Sequence, residues 1–141
     1  MSFNPVLLPV LCMVLLTFVV WVYLFALRLP EISRKKIDPQ KLKDRAEAHT
    51  LLTTSAAASN NLKNLFEMPV LFYLAAMLMM LLLIQDPLVV RLAWGFVVLR
   101  IVHSIVQCTC NRVVHRFIAY FLSCLFLLLM WVRLTSYILM N

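Results

Sequence analysis

Apolar residues fill most of this chain in long runs, separated by short polar breaks. Val6 to Leu27 carries no charge, Met68 to Ile84 is wholly apolar, and two further runs occupy Pro87 to Cys108 and Val113 to Leu139. A membrane helix needs about 20 residues to cross the hydrocarbon. The pattern therefore predicts four spans: about 5–27, 49–84, 87–108 and 113–139. The second is drawn long because Met68 to Ile84 is short of a full crossing, and "LLTTSAAASNNLKNLFE" before it holds no glycine or proline to stop a helix. "QDP" at 85–87 predicts a tight turn, with Pro87 in the first turn of span three. Residues 28–48, with Pro30, Pro39 and alternating charge, read as an ordered surface loop.

Composition agrees with a membrane class. The chain is 64% hydrophobic and 13% charged, against about 25% charged in an ordinary soluble domain. The first run resembles a signal sequence in length, but no small-residue cleavage site follows it and no basic region precedes it. It is read as a retained span. The fold class expected is thus all-α: one membrane domain, residues 1–141, built as a four-helix bundle.

The net charge of +7 invites a nucleic-acid reading, and its distribution rejects it. Seven of the thirteen basic residues lie between Arg28 and Arg45, directly after the first span. That is the positive-inside signal, and a loop in contact with membrane lipids is its ordinary role. Loops one and three are placed in the cytoplasm, both termini on the opposite side. Cys12, Cys108, Cys110 and Cys124 lie in or beside apolar runs, and "CTC" lacks the redox dithiol spacing, so free thiols are expected.

Polar residues inside the runs are not scattered. His49, Thr53, Asn60, Lys63, Asn64 and Glu67 recur at helical spacing on one face, and Lys63–Glu67 is an i, i+4 opposite-charge pair. Pro69 removes the donor for the Leu65 carbonyl, which predicts a kink or gap there. On span three Arg100, His103, Ser104, Gln107 and Asn111 share a face; on span four Arg112, His115, Arg116, Tyr120 and Ser123 begin a third stripe. A charged residue at mid-bilayer costs about 2.5–3.5 kcal/mol on insertion scales, so these side chains turn inward or line a polar cavity. Two roles fit: interhelical glue, with Glu67 pairing Arg100, or a binding site. Arginines and a lysine suit carboxylate or phosphate, a glutamate suits an ammonium, and Tyr and Ser add neutral donors. An anionic ligand bearing an amine matches that inventory. No metal-ligand spacing is present.

"NLFEMPVLF" and "RIVHSIVQCTCNRVVHR" are similar to motifs of a known family, the membrane-associated proteins in eicosanoid and glutathione metabolism (MAPEG). The spacing of Arg100, His103, Arg112 and Arg116 most resembles the prostaglandin E synthase branch. The resemblance implies a homotrimer that binds glutathione between subunits in the cytoplasmic half. It implies Asn64 and Glu67 as glutathione contacts, Arg100 as a site arginine on helix three, and Arg116 as the catalytic residue that stabilises the thiolate. Asn60, Lys63, His103, Gln107, Arg112 and Tyr120 complete the implied binding set. Asn60 and Lys63 stand where relatives carry arginines, and Gln107 stands where they carry tyrosine. The function so implied is a membrane-bound glutathione-dependent transferase or peroxidase-like activity on a lipophilic small molecule. The alternative is a non-catalytic trimer whose cleft holds a lipid or another anionic amphiphile; a channel or transporter has weaker support, since no glycine-interrupted helix is present.

Overall fold

The computed structural model describes residues 4–140, apart from the side chains of Arg45 and His49. The first helix, α1 (Leu7–Lys35), does not stop at the basic segment but runs through Pro30 into it. Proline within a helix frees only the carbonyl four residues back and can be tolerated as a local flaw. The real stop is at Lys36, which takes a left-handed conformation with φ 49°. There the N–H of Ile37 bonds Ile32 O at 3.1 Å and that of Lys36 bonds Ser33 O at 3.3 Å, the Schellman pattern that closes a helix end. The surface loop expected over 28–48 is therefore helical at both of its ends: a 3₁₀ turn, Pro39–Leu42, leads to a short helix, α2 (Arg45–Leu51).

A helix expected to run unbroken from about His49 is divided three ways. After α2 the chain leaves helical geometry at 52–55, resumes as α3 (Ala56–Leu65), breaks again at Phe66–Glu67, and continues as α4 (Met68–Leu81). The second break is the one that Pro69 foretells. Fourteen residues at 1.5 Å each reach about 21 Å, too short for a bilayer, so α3 and α4 together form one span. Asp86 then caps α5 (Pro87–Cys108), its Oδ1 accepting from the N–H of Leu88 at 2.8 Å. The last helix is α6 (Val113–Met140).

Four segments, α1, α3–α4, α5 and α6, are thus long and apolar enough to cross a membrane. With no strand among the described residues, the chain is an all-α, multi-pass membrane bundle. Its core is dry in the middle: Phe72 of α4 stacks on Phe96 of α5 at 4.9 Å, with Met13, Met79 and Met130 filling around them. α5 and α6 form the most extensive pairing. The outer faces of α1 and α6, including Leu15, Phe18, Val22, Phe117, Phe121 and Leu128, stay exposed and are suited to lipid or to further protein.

Candidate functional site

Polar atoms collect at one end of the bundle, where α3, α5 and the first turns of α6 meet. The helical spacing of span three works here as expected: Arg100, His103, Ser104 and Gln107 are all buried, while Ile105 and Val102 point outward. A cleft of about 320 Å³ opens on this face, at the small end of ligand-pocket sizes. It is lined by Asn60 and Asn64 from α3, Glu67 from the break, His103 and Gln107 from α5, and Arg116 and Tyr120 from α6, with Val113 and Phe117 as apolar wall.

The lining is ordered by hydrogen bonds. Asn64 Nδ2 donates to Gln107 Oε1 at 3.1 Å and lies 3.4 Å from His103 Nε2. His103 Nδ1 stands 2.9 Å from the main-chain oxygen of Arg116, which can only accept, so that nitrogen carries the hydrogen and Nε2 is free to accept from Asn64. His103 thus ties α5 to both α3 and α6. The Arg116 guanidinium is steadied by Asn111 Oδ1 at 2.9 Å and stays partly exposed. Asn111 itself sits at φ 45°, a left-handed position that asparagine tolerates.

Three of the residues expected at the binding site lie elsewhere. Arg100 is completely enclosed behind the cleft. Its guanidinium packs 4.5 Å from the Tyr120 ring centre and 5.2 Å from that of Phe96, Nη2 reaches Cys124 Sγ at 3.7 Å, and Nε and Nη1 have no partner. Lys63 faces a neighbouring hollow of about 270 Å³ on the other side of α3, which it shares with Arg28, Ser59 and Asn60. Arg112 is exposed in the turn before α6. Two expected ion pairs are absent among the described residues, where the pairs found are Lys35–Glu31 and Arg133–Asp86. Glu67 does not reach Arg100, which is sealed behind Tyr120. Nor does it pair with Lys63, because the break at Phe66–Glu67 destroys the i, i+4 register. His49 belongs to α2, off the α3 face, and its side chain is outside the described residues.

Asn61, Glu31 and Arg28 carry more than their positions in the sequence suggested. Asn61 is fully buried, accepting from Ser104 Oγ at 3.2 Å and donating to Cys108 Sγ at 3.4 Å. Glu31 is buried in α1, and Arg28 Nη2 donates to Ser59 Oγ at 3.3 Å. A signal existed: Arg28, Glu31 and Lys35 fall three and four apart, one face of a helix, but only once α1 is known to continue past Pro30.

No curated protein and no solved structure matches the chain. The sequence model of the MAPEG family does, over residues 6–136, more than nine-tenths of the length. That match takes in three spans whole, most of the fourth and every residue of the cleft, and on it the chain belongs to the MAPEG family.

Proposed function

We propose that the protein is a glutathione-dependent transferase or peroxidase-like enzyme acting on a lipophilic electrophile from the bilayer. The observation that carries this reading is the cleft itself, which sets a guanidinium, a carboxylate, three amides and a phenol around one opening at the end of the bundle. Glutathione, which the family generally uses, is a tripeptide with a pair of carboxylates, one ammonium and a thiol. Glu67 matches the ammonium, and Asn60, Asn64 and Gln107 match the peptide groups. The cleft alone offers only Arg116 as a cation, and a dicarboxylate needs more. The adjoining hollow, joined through Asn60, supplies Arg28 and Lys63.

In this scheme Arg116 holds the negative charge that develops on the thiol sulfur as its proton leaves to solvent. The thiolate then attacks the electrophilic carbon, and the leaving group departs with the bonding pair. Arg100 takes no contact with the ligand in this reading and acts on Tyr120 from behind. Homotrimer assembly, with glutathione held between subunits, accounts for a cleft that is open on one side; loops one and three facing the cytoplasm would set it toward the soluble thiol pool. The shared spacing of Arg100, His103, Arg112 and Arg116 supports the prostaglandin E synthase branch as the nearest in site chemistry.

The test is glutathione-dependent conjugation of a chlorinated nitroaromatic by the detergent-purified protein, beside a thermal-shift titration with glutathione and S-hexylglutathione. Stabilisation by both and turnover lowered about 10²–10³-fold in Arg116→Ala are expected. If native mass spectrometry instead finds a retained phospholipid, with no glutathione-induced stabilisation, the cleft is a lipid site and the enzyme reading fails.

A further inference from the structure

The cleft depends on α3, and α3 is held at neither end by a continuous helix. Its C-terminal end breaks from α4 at Phe66–Glu67, and its N-terminal end has no side-chain cap of its own. Yet Asn60 and Asn64, which line the cleft, and Asn61, which bonds across to α5, all ride on it.

What fixes its start comes from another helix. Glu31, 5% exposed, points from α1 at the turn where α3 begins. Oε1 accepts from the N–H of Thr54 at 2.8 Å and from Lys35 Nζ at 2.7 Å; Oε2 accepts from the N–H of Ser55 at 2.9 Å and from Ser55 Oγ at 3.0 Å. Lys35 Nζ also donates to Leu51 O at 2.8 Å and to Thr53 Oγ1 at 3.0 Å. An anion therefore sits at the N-terminus of α3 and a cation at the C-terminus of α2, the arrangement each helix end favours. One turn back on α1, Arg28 bonds Ser59. A buried carboxylate is retained only where its donors are complete, and here they are.

We propose that Glu31 is the positioning residue of the cleft: it sets where α3 begins, and so where Asn60 and Asn64 stand relative to Arg116 on α6. The binding part of this proposal rests on the glutathione reading above; the clamp part does not. Glu31→Gln keeps the shape but puts an NH₂ group where one oxygen accepted, so it cannot serve both sides of the turn.

Two measurements on the full-length protein in detergent test it. In hydrogen exchange, Glu31→Gln is expected to speed exchange of residues 54–65 about tenfold or more, with residues 87–108 of α5 unchanged. In steady-state conjugation it is expected to raise KM for glutathione about tenfold, with kcat at saturating glutathione kept within about twofold, because Arg116 is untouched. A purely structural loss would lower the active fraction without moving KM. Lys35→Met, which leaves the carboxylate on the Thr54 and Ser55 N–H groups, should give a smaller change in both. If Glu31→Gln does not assemble, Ser55→Ala removes a single donor to Oε2 and is expected to move both readouts in the same direction, less far. Exchange that rises equally in α5 and α6, or does not rise in 54–65, overturns the clamp. Local exchange that rises with KM unchanged overturns the positioning role. If the wild-type protein binds no glutathione, the functional reading fails while the exchange measurement still decides the clamp.

Discussion

Arg100 and Arg116 are read alike from the sequence, as arginines on polar faces near the same bundle end, and their surroundings separate them. Arg116 is partly exposed, has one guanidinium nitrogen tied to Asn111, and leaves the others free to meet a ligand. Replacing it by alanine should lower conjugation about 10²–10³-fold, the usual loss for one preorganised charge-stabilising donor. Circular dichroism and detergent-phase oligomer size should not change. Arg100 is enclosed, with Nε and Nη1 unpartnered, and among the described residues no carboxylate lies within ion-pair distance of it. Its ring contacts return only part of its desolvation, about 0.5–2 kcal/mol each. Arg100→Met, close in length and apolar, should leave the melting temperature equal or raised. Arg100→Ala should melt lower than Arg100→Met by about 2–4 kcal/mol of stability, because it opens a cavity behind Tyr120. A strongly destabilised Met variant would show that the buried cation has an anionic partner.

At the scale of the elements, what could be read in the sequence and what could not divide along local and tertiary causes. The four-span, all-helical class follows from run length alone. The start of α5 is also written locally, in Asp86 and Pro87, and that cap yields a pH test. Burial raises the Asp86 carboxyl, but the Leu88 N–H and the Arg133 guanidinium, 2.8 Å away, outweigh it and hold it below the ordinary aspartate value. A depressed carboxyl contributes stability that is present above its unfolded value, near 3.8, and lost as pH falls through the folded one. Asp86→Asn keeps the cap acceptor and drops the charge. It should therefore melt lower than wild type at pH 6, by about 0.5–1 kcal/mol for so exposed an arginine partner, with the difference closing as pH falls below 3.8 through the lowered folded value. The extent of α1 and the gap at 52–55 were not legible, because Lys36 ends α1 by a left-handed turn with no glycine, and Glu31 starts α3 from another helix. The separation of Lys63 and Arg100 from the cleft was hidden for the same reason: spacing gives a face, and breaks and neighbours decide what the face meets. One packing choice is legible only in three dimensions. A Cβ on Gly95, the single glycine, would clash with the Phe126 ring. Gly95→Ala should cost about 1–3 kcal/mol through overpacking, and Phe126→Leu should recover much of that loss in the double variant, measured by thermal unfolding.

For the whole molecule, the remaining question is which way the bundle faces, since a cleft that takes a soluble thiol must open where the thiol is. If all four candidate spans cross, both termini would lie on one side and loops one and three on the other. Seven of thirteen basic residues in 28–45 vote for loop one inside, and loop three shares its side by geometry. Loop three carries its own reporter. Cys110 is exposed, whereas Cys12, Cys108 and Cys124 are half-buried. The N–H of Arg112, aided by that arginine's charge, holds the Cys110 thiol below the ordinary cysteine value, so more of it is thiolate at neutral pH. A membrane-impermeant maleimide should leave Cys110 untouched in right-side-out vesicles and modify it in inverted ones, with Cys110→Ser abolishing the signal. The reaction should persist at lower pH than for a free cysteine. Arg112→Ala should change that pH dependence little, because the main-chain N–H, the larger cause, remains. Labelling from the outer face would place loop three, the cleft mouth and Arg116 away from the cytoplasm, and the cytoplasmic thiol supply would have to be given up with it.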